Sequence, residues 1–216
     1  MASSALDILR NCNLAVEGYT CTGMLYGSPM RRLRLSSRTI FTAHDMPYVV
    51  KAEFGYGYRQ SWNEWVFWHR TAAHSEDAAW FAATHGMKIG MIEAECFHKH
   101  MKPRPGCECR DTPWYVIATV QERILDAGKA FKMTARKRAC LAAQAYVGDN
   151  FPGLFDVREW QFVYSARRAH GVLVDYGMHG APDDVGDETL EPALWNECVR
   201  GMRMGEWRMF DVPIHT

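Results

Sequence analysis

The stretch Phe155-Asp156-Val157-Arg158-Glu159-Trp160-Gln161-Phe162-Val163-Tyr164 is followed, across a short basic turn, by Val172-Leu173-Val174-Asp175-Tyr176-Gly177. Both runs are rich in valine and aromatic residues, which favour strands, and the turn between them predicts a β-hairpin. Asp156 comes before this hairpin, and Asp175 follows the apolar part of its second strand. These two aspartates are therefore the first candidate functional residues.

The composition indicates a globular protein without a strong overall charge. The chain has 216 residues, of which 48% are hydrophobic and 23% charged, enough for one sizeable core or two small lobes that share a cleft. Lysine plus arginine equals aspartate plus glutamate at 25 each, so no net field attracts nucleic acid or an anionic membrane. The absence of a net charge therefore favours a protein partner over nucleic acid or a membrane.

The sequence also predicts a cytoplasmic location. No segment approaches the ~20 apolar residues of a membrane span, and residues 1–10 lack the pattern of a signal peptide. Seven scattered cysteines suit reduced thiols better than a disulfide framework. We therefore expect the protein to work in the cytoplasm.

The order of predicted elements indicates an α+β protein. Strands are predicted at 37–43, 48–54, 87–98 and 114–121, and helices at 62–73, 77–84, 134–147 and 192–204. Strands with a helix thus come first and helices dominate later. We expect an N-terminal lobe of sheet and helix over residues 1–122, a reduced C-terminal lobe over 123–216, and a central cleft between them.

Two further charged residues lie upstream of the aspartates, in an order that suits phosphoryl transfer. Lys51 lies on a predicted strand, and Glu64 lies on the helix that follows. Phosphoryl transfer needs a lysine on the phosphates, a glutamate to orient it, an aspartate for the attacking hydroxyl and a second aspartate for magnesium. The order Lys51, Glu64, Asp156, Asp175 matches these tasks.

From Ser36 to Gly177 the chain resembles the protein-kinase-like fold, in particular the small atypical kinases of bacteria and their phages. The stretch Ser36-Ser37-Arg38-Thr39-Ile40-Phe41 is similar to the strand that covers the nucleotide, and Val50-Lys51 to the lysine strand. Asp156-Val157-Arg158-Glu159-Trp160-Gln161 resembles the Asp-x-His-x-x-Asn catalytic loop, and Asp175-Tyr176-Gly177 the Asp-Phe-Gly motif. The resemblance implies a two-lobed fold with an N-terminal antiparallel sheet and one helix, and a mainly helical second lobe.

The same resemblance implies a site for ATP and Mg²⁺ and a phosphotransferase that acts on a protein or a small hydroxyl substrate. Lys51 would bind the phosphates together with Ser37 and Arg38, and Glu64 would orient Lys51. Asp156 would be the catalytic base. Gln161 and Asp175 would bind both the cofactor and its metal.

Several departures from the family pattern favour a second interpretation, a pseudokinase. No G-x-G-x-x-G run precedes Ser36, and Arg158, Trp160 and Gln161 replace histidine, a small residue and asparagine. The extra methylene of glutamine moves its oxygen, and magnesium tolerates poor geometry badly. Only about 39 residues follow Gly177, too few for a full helical lobe. The scaffold would then serve as a binding module for a host or assembly protein, or as a structural or accessory phage protein.

A rival site is a zinc centre. In strand geometry residues two apart share a face, so His98 with His100 and Cys107 with Cys109 could meet as four ligands of the types that zinc prefers. The usual signature has two residues between paired cysteines. We therefore favour a polar surface loop over a zinc site.

Overall fold

The computed structural model describes residues 4–17, 20–34, 38–42, 46–55, 60–92, 113–125, 133–154, 157–177 and 191–211. The protein is a mixed α/β structure with antiparallel sheets. In the described part of the chain the α-helices are α1 Ala5–Asn11, α2 Gln60–Arg70, α3 Met133–Asn150 and α4 Pro192–Val199. None of these helices is long and apolar enough to cross a lipid bilayer.

The strands of these ranges form three sheets. They are β1 Cys12–Glu17, β2 Thr20–Leu25, β3 Ser28–Pro29, β4 Arg31–Arg34, β5 Arg38–Thr42, β6 Tyr48–Gly55, β7 Thr84–Ile92, β8 Trp114–Glu122, β9 Phe162–Ser165, β10 His170–Leu173 and β11 Trp207–Phe210. The main sheet has six antiparallel strands in the order β11-β7-β8-β6-β5-β4. Strands β1 to β3 form a small sheet, and β9 with β10 forms a separate hairpin.

Alternation along the central strands gives the main sheet two different faces. On β6, Val50 and Ala52 belong to one apolar cluster, which also contains Ile8 and Leu9 of α1. Lys51 and Glu53 alternate with these residues along the strand and so point to the opposite face. One face of the sheet is thus covered by the N-terminal segment, and the other carries buried charges.

The second face packs against aromatic side chains of two helices. Trp62 and Trp65 of α2 and Trp195 of α4 join Met87 and Ile117 of the sheet in one buried cluster. The rings of Trp62 and Trp195 meet edge to face with centroids 5.2 Å apart. Several of the tryptophans that are abundant in this sequence are therefore core residues, which fixes α2 on the sheet.

A third cluster joins α3 to the hairpin of β9 and β10. Cys140, Ala143 and Val147 of α3 pack with Phe162 and Leu173 of the two strands. Glycine is required at position 171 for close packing, because a Cβ there would lie 2.8 Å from the Cα of Cys140. This contact holds the strand that leads to Asp175.

The predicted hairpin over 37–43 and 48–54, the strand over 114–121 and the helix over 134–147 are confirmed by β5, β6, β8 and α3. The predicted helix over 77–84 is wrong, because residues Glu76–Trp80 form a short 3₁₀ helix and β7 already begins at Thr84. The last helix ends at Val199, not near residue 204. A left-handed turn at Gly201 follows it, where φ is 67°.

Two parts of the architecture were not predicted. Residues 4–34 contain α1 and four strands, and β11 near the C-terminus pairs with β7 at the edge of the main sheet. The division into residues 1–122 and 123–216 stays a prediction. Strand β11 comes from the second of these ranges and joins the sheet that is built mostly from the first.

Candidate functional site

The register of β5 and β6 places three charged residues on the face of the sheet that α2 covers. Arg38 of β5 lies directly opposite Glu53 of β6, and Ile40 lies opposite Lys51. Residues directly opposite in an antiparallel pair share a face, and so do residues two apart on one strand. Arg38, Lys51 and Glu53 therefore all point toward α2.

Lys51 and Glu64 form a buried ion pair between the sheet and α2. The Nζ atom of Lys51 donates to both carboxylate oxygens of Glu64, at 2.9 Å each. The side chains of Lys51 and Glu64 are 2% and 0% exposed. A third hydrogen bond runs from Nζ to the carbonyl oxygen of Val174, so all three donors of the ammonium group are used. The structure thus brings together the lysine and the glutamate that the sequence singles out.

Arg38 links this pair to Asp175. Its Nη2 atom donates to Oε1 of Glu64 at 3.1 Å and also to Oδ1 of Asp175. The Arg38 side chain is 4% exposed and that of Asp175 is 22% exposed. We call Arg38, Lys51, Glu64 and Asp175 the ion cluster. It holds two positive and two negative side chains, and the buried carboxylate of Glu53 lies beside Arg38.

Burial and pairing act in opposite directions on the pKa values of the cluster. Burial lowers the pKa of Lys51, although the neighbouring Glu64 carboxylate works against this. Burial alone would raise the pKa of Asp175, but Arg38 and Lys51 outweigh it and lower that pKa. Burial would also lower the pKa of Arg38, and the charges of Glu64 and Asp175 raise it instead. Asp175 and Arg38 are therefore charged at neutral pH.

Backbone hydrogen bonds fix the segment that carries Asp175. The amide of Val174 donates to the carbonyl of Gln161 at 2.9 Å, which continues the hairpin beyond β10. The amide of Tyr176 donates to Oε1 of Glu64 at 3.1 Å. The hydroxyl of Tyr176 donates to the carbonyl of Ala82 at 2.7 Å. The segment around Asp175 is thus held by the β9–β10 hairpin before the aspartate and by Glu64 of α2 after it.

Gly177 lies against the first turn of α2. Its carbonyl accepts a hydrogen bond from Nδ2 of Asn63 at 3.0 Å. A Cβ at Gly177 would lie 2.4 Å from the carbonyl oxygen of Gln60, closer than real contacts allow. The close approach of the two backbones explains why glycine follows Asp175 and Tyr176.

Glu53 is a site residue that sequence reasoning missed. Its Oε1 atom accepts a hydrogen bond from the amide of Ser61 at 3.0 Å, and its side chain is fully buried. A carboxylate at this point satisfies an amide of the first helical turn and interacts well with the positive end of the helix. Its alternation with Lys51 along β6 could have revealed it.

Gln161 and its neighbours have local contacts within their own loop. Oε1 of Gln161 accepts a hydrogen bond from the amide of Arg158 at 2.7 Å. The Arg158 guanidinium lies over the Trp160 ring, 5.3 Å from its centroid, and the Trp160 side chain points into solvent with 67% exposure. The side-chain oxygen of Gln161 therefore holds the turn that precedes β9.

The remaining predicted site residues lie outside the described residues. They are Ser37, the base candidate Asp156 and the zinc candidates His98, His100, Cys107 and Cys109. Their predicted roles stay predictions. Among the residues that the structure does describe, no group of three or more histidine, cysteine or acidic side chains is placed to hold a metal ion.

The described residues that were predicted to bind Mg²⁺ or phosphate already have other partners. Magnesium needs near-octahedral oxygen ligands, and of the two residues expected to supply them, Asp175 is bonded to Arg38. The other, Gln161, uses its side-chain oxygen within its own loop. Lys51, which would hold phosphates, is buried and its donors are directed at Glu64 and Val174.

No protein-family model matches the chain, and no curated protein matches it. A solved structure of the kinase PK-1 from the Cydia pomonella granulovirus is similar to it at 9% sequence identity and a TM-score of 0.36. That similarity covers 80% of this chain and 53% of the viral kinase chain, so this protein spans about half the length of that structure.

Proposed function

We propose that this protein is a degenerate kinase-like protein, a pseudokinase, that works as a binding module for a protein partner. The observation that carries the proposal is the ion cluster. Its lysine and glutamate form the ion pair that phosphoryl transfer requires, whereas its aspartate is bonded to Arg38.

The Arg38 contact favours loss of metal-dependent chemistry. In phosphoryl transfer a magnesium ion held by the aspartate bridges the phosphates and neutralises their charge. Here the carboxylate of Asp175 already has a cation beside it, and that cation belongs to the protein. The Oδ1 atom of Asp175 is thus bonded to a cation of the protein and is not open to a metal.

The exposed side chain of Trp160 supports the proposal that this protein binds a protein partner. Tryptophan and arginine are the residue types most enriched among those that dominate the binding energy of protein interfaces. Trp160 is the most exposed of the large hydrophobic residues described, and Arg158 lies over its ring. The pair thus offers a rigid aromatic contact within the stretch that resembles a catalytic loop.

A second candidate function is that of an ATP- and Mg²⁺-dependent phosphotransferase. The buried Lys51–Glu64 pair favours it, because an active kinase requires this pair to be in place. Asp156 would be its base, and Gln161 and Asp175 would have to turn toward a metal on nucleotide binding.

Two measurements distinguish the pseudokinase from the phosphotransferase. One is thermal unfolding with ATP, in the presence and absence of Mg²⁺, and the other is an assay of γ-phosphate transfer. A ligand at about a hundredfold its dissociation constant stabilises a protein by roughly 2–3 kcal/mol. A pseudokinase of this type gains no extra stability from adding Mg²⁺ to ATP and transfers no phosphate. The comparison includes Lys51→Met and Asp175→Asn, with the exposed Lys137→Met as the matched control.

An active phosphotransferase would give the opposite result. Stabilisation by ATP that requires Mg²⁺, with phosphate transfer that is lost in Lys51→Met and Asp175→Asn but kept in Lys137→Met, would contradict the proposal. It would establish the phosphotransferase instead.

A further inference from the structure

The guanidinium of Arg38 lies between the two carboxylates of the ion cluster. A single nitrogen, Nη2, contacts both Oε1 of Glu64 and Oδ1 of Asp175. A group that bridges one oxygen from each of two carboxylates occupies the position that a divalent cation would take between them. The guanidinium of Arg38 and a divalent cation therefore cannot occupy this position together.

The charges around this position favour the guanidinium of Arg38 over a divalent cation. The formal charges of Arg38, Lys51, Glu64 and Asp175 cancel, and the buried carboxylate of Glu53 beside Arg38 leaves one net negative charge. A divalent cation added beside Arg38 would therefore leave one uncompensated positive charge in a site where three of the four side chains of the ion cluster are at most 4% exposed. Uncompensated charge is costly at such depth, so the metal could enter only if Arg38 left.

Arg38 is held where it is by the main sheet. It lies on β5, opposite Glu53 of β6, and its charge interacts with that buried carboxylate as well. A guanidinium remains protonated over the whole physiological pH range, so no change of pH within that range releases it. The contact therefore persists as long as β5 stays paired.

From these contacts we infer that Arg38 is a built-in cation that determines the specificity of the ion cluster by excluding divalent metals from Asp175. The inference rests on the proposed function, which it deepens. It predicts that the two carboxylates form a latent divalent-cation site, opened by the loss of one arginine side chain.

The test uses Mn²⁺ alone, measured by calorimetry and by the electron paramagnetic resonance of unbound Mn²⁺. Wild type and the control Arg32→Gln, an exposed arginine on β4, should show no site at Asp175. Arg38→Gln should bind one Mn²⁺ at least tenfold more tightly than wild type. The double variant Arg38→Gln/Asp175→Asn should lose that gain.

Two outcomes overturn the inference. One is a folded Arg38→Gln protein that binds Mn²⁺ no better than wild type, and the other is a gain that survives in the double variant. If Arg38→Gln does not fold, Arg38→Lys keeps one positive charge with a shorter reach and should show a smaller gain.

The unaltered protein provides a measurement that does not depend on any variant. The amide of Tyr176 follows Asp175 directly, so a bound paramagnetic Mn²⁺ would broaden its NMR signal. No broadening at millimolar Mn²⁺ supports the inference, and selective broadening there overturns it. Phosphate transfer, which tests the proposed function, is a separate readout, so the two can fail independently.

Discussion

At the scale of single residues, Gly177 shows how backbone packing constrains the segment that carries Asp175. Its position against Gln60 leaves no room for a methyl group. We expect Gly177→Ala to cost about 1–3 kcal/mol in unfolding free energy, because the first turn of α2 must shift away. Chemical denaturation measures this cost.

Gly148 provides the matched control for that substitution. It lies within α3, and a Cβ there would meet nothing within 4 Å. Gly148→Ala should therefore stabilise the protein by about 0.5–1 kcal/mol, as expected for an open helical position. Equal effects at the two glycines would contradict the placement of Gly177.

His69, in the last turn of α2, predicts a specific pH dependence. Burial lowers its pKa to about 4, and its Nε2 atom has no hydrogen-bond partner among the described residues. In the unfolded chain the pKa of histidine is about 6.5, so the unfolded chain binds a proton that the folded protein does not bind. The free energy of unfolding therefore falls as the pH drops from about 6.5 toward 4.

Replacement of His69 should flatten that dependence. We expect the melting temperature of His69→Leu to fall less than that of wild type between pH 7 and pH 5. The exposed His74→Gln removes only a minor charge effect on His69 and should stay close to wild type. Melting curves at a series of pH values decide this. An unchanged slope in His69→Leu would mean that His69 is not buried as described.

At the scale of elements, Lys88 joins the N-terminal segment to the main sheet. Its Nζ atom donates to the carbonyls of Leu9 and Cys12, at 3.2 and 3.0 Å, where α1 ends. The same nitrogen lies 4.8 Å from the centroid of the Trp207 ring on β11. A cation is well placed here, because the last carbonyls of a helix lack partners and carry partial negative charge.

Lys88→Met should therefore weaken the attachment of residues 4–34. The loss of two hydrogen bonds from a charged donor should cost about 1–3 kcal/mol in unfolding free energy. Amide hydrogen exchange should rise in α1 more than in α3. The exposed Lys137→Met serves as control, and a cost no larger than that of the control would show that Lys88 does not hold the helix.

Elements with a strong local composition were predictable from the sequence, and those without it were not. Strand β8 and helix α3 have the length and the composition that favour a single local structure. Strand β11 has only four residues, all partly exposed, so its pairing with β7 depends on tertiary contacts that no local pattern reveals. The 3₁₀ helix of residues Glu76–Trp80 has apolar spacing close to that of an α-helix, which explains the wrong prediction there.

At the scale of the whole molecule, the ion cluster joins segments that are far apart in the chain. Arg38 and Asp175 are separated by 137 positions and meet only because the main sheet, α2 and the β9–β10 hairpin pack together. The order of Lys51, Glu64 and Asp175 allowed their proximity to be anticipated through the family resemblance. The bridging position of Arg38 and the helix contact of Glu53 depend on strand register, which the sequence alone did not reveal.

The central claim is that Arg38, not a metal, is the cation beside Asp175. The most direct measurement is anomalous diffraction from crystals of the wild-type protein soaked in Mn²⁺ and ATP. We predict no anomalous peak at Asp175, with the guanidinium of Arg38 bonded to both Asp175 and Glu64. A manganese ion coordinated by Asp175, with Arg38 displaced, would contradict the account.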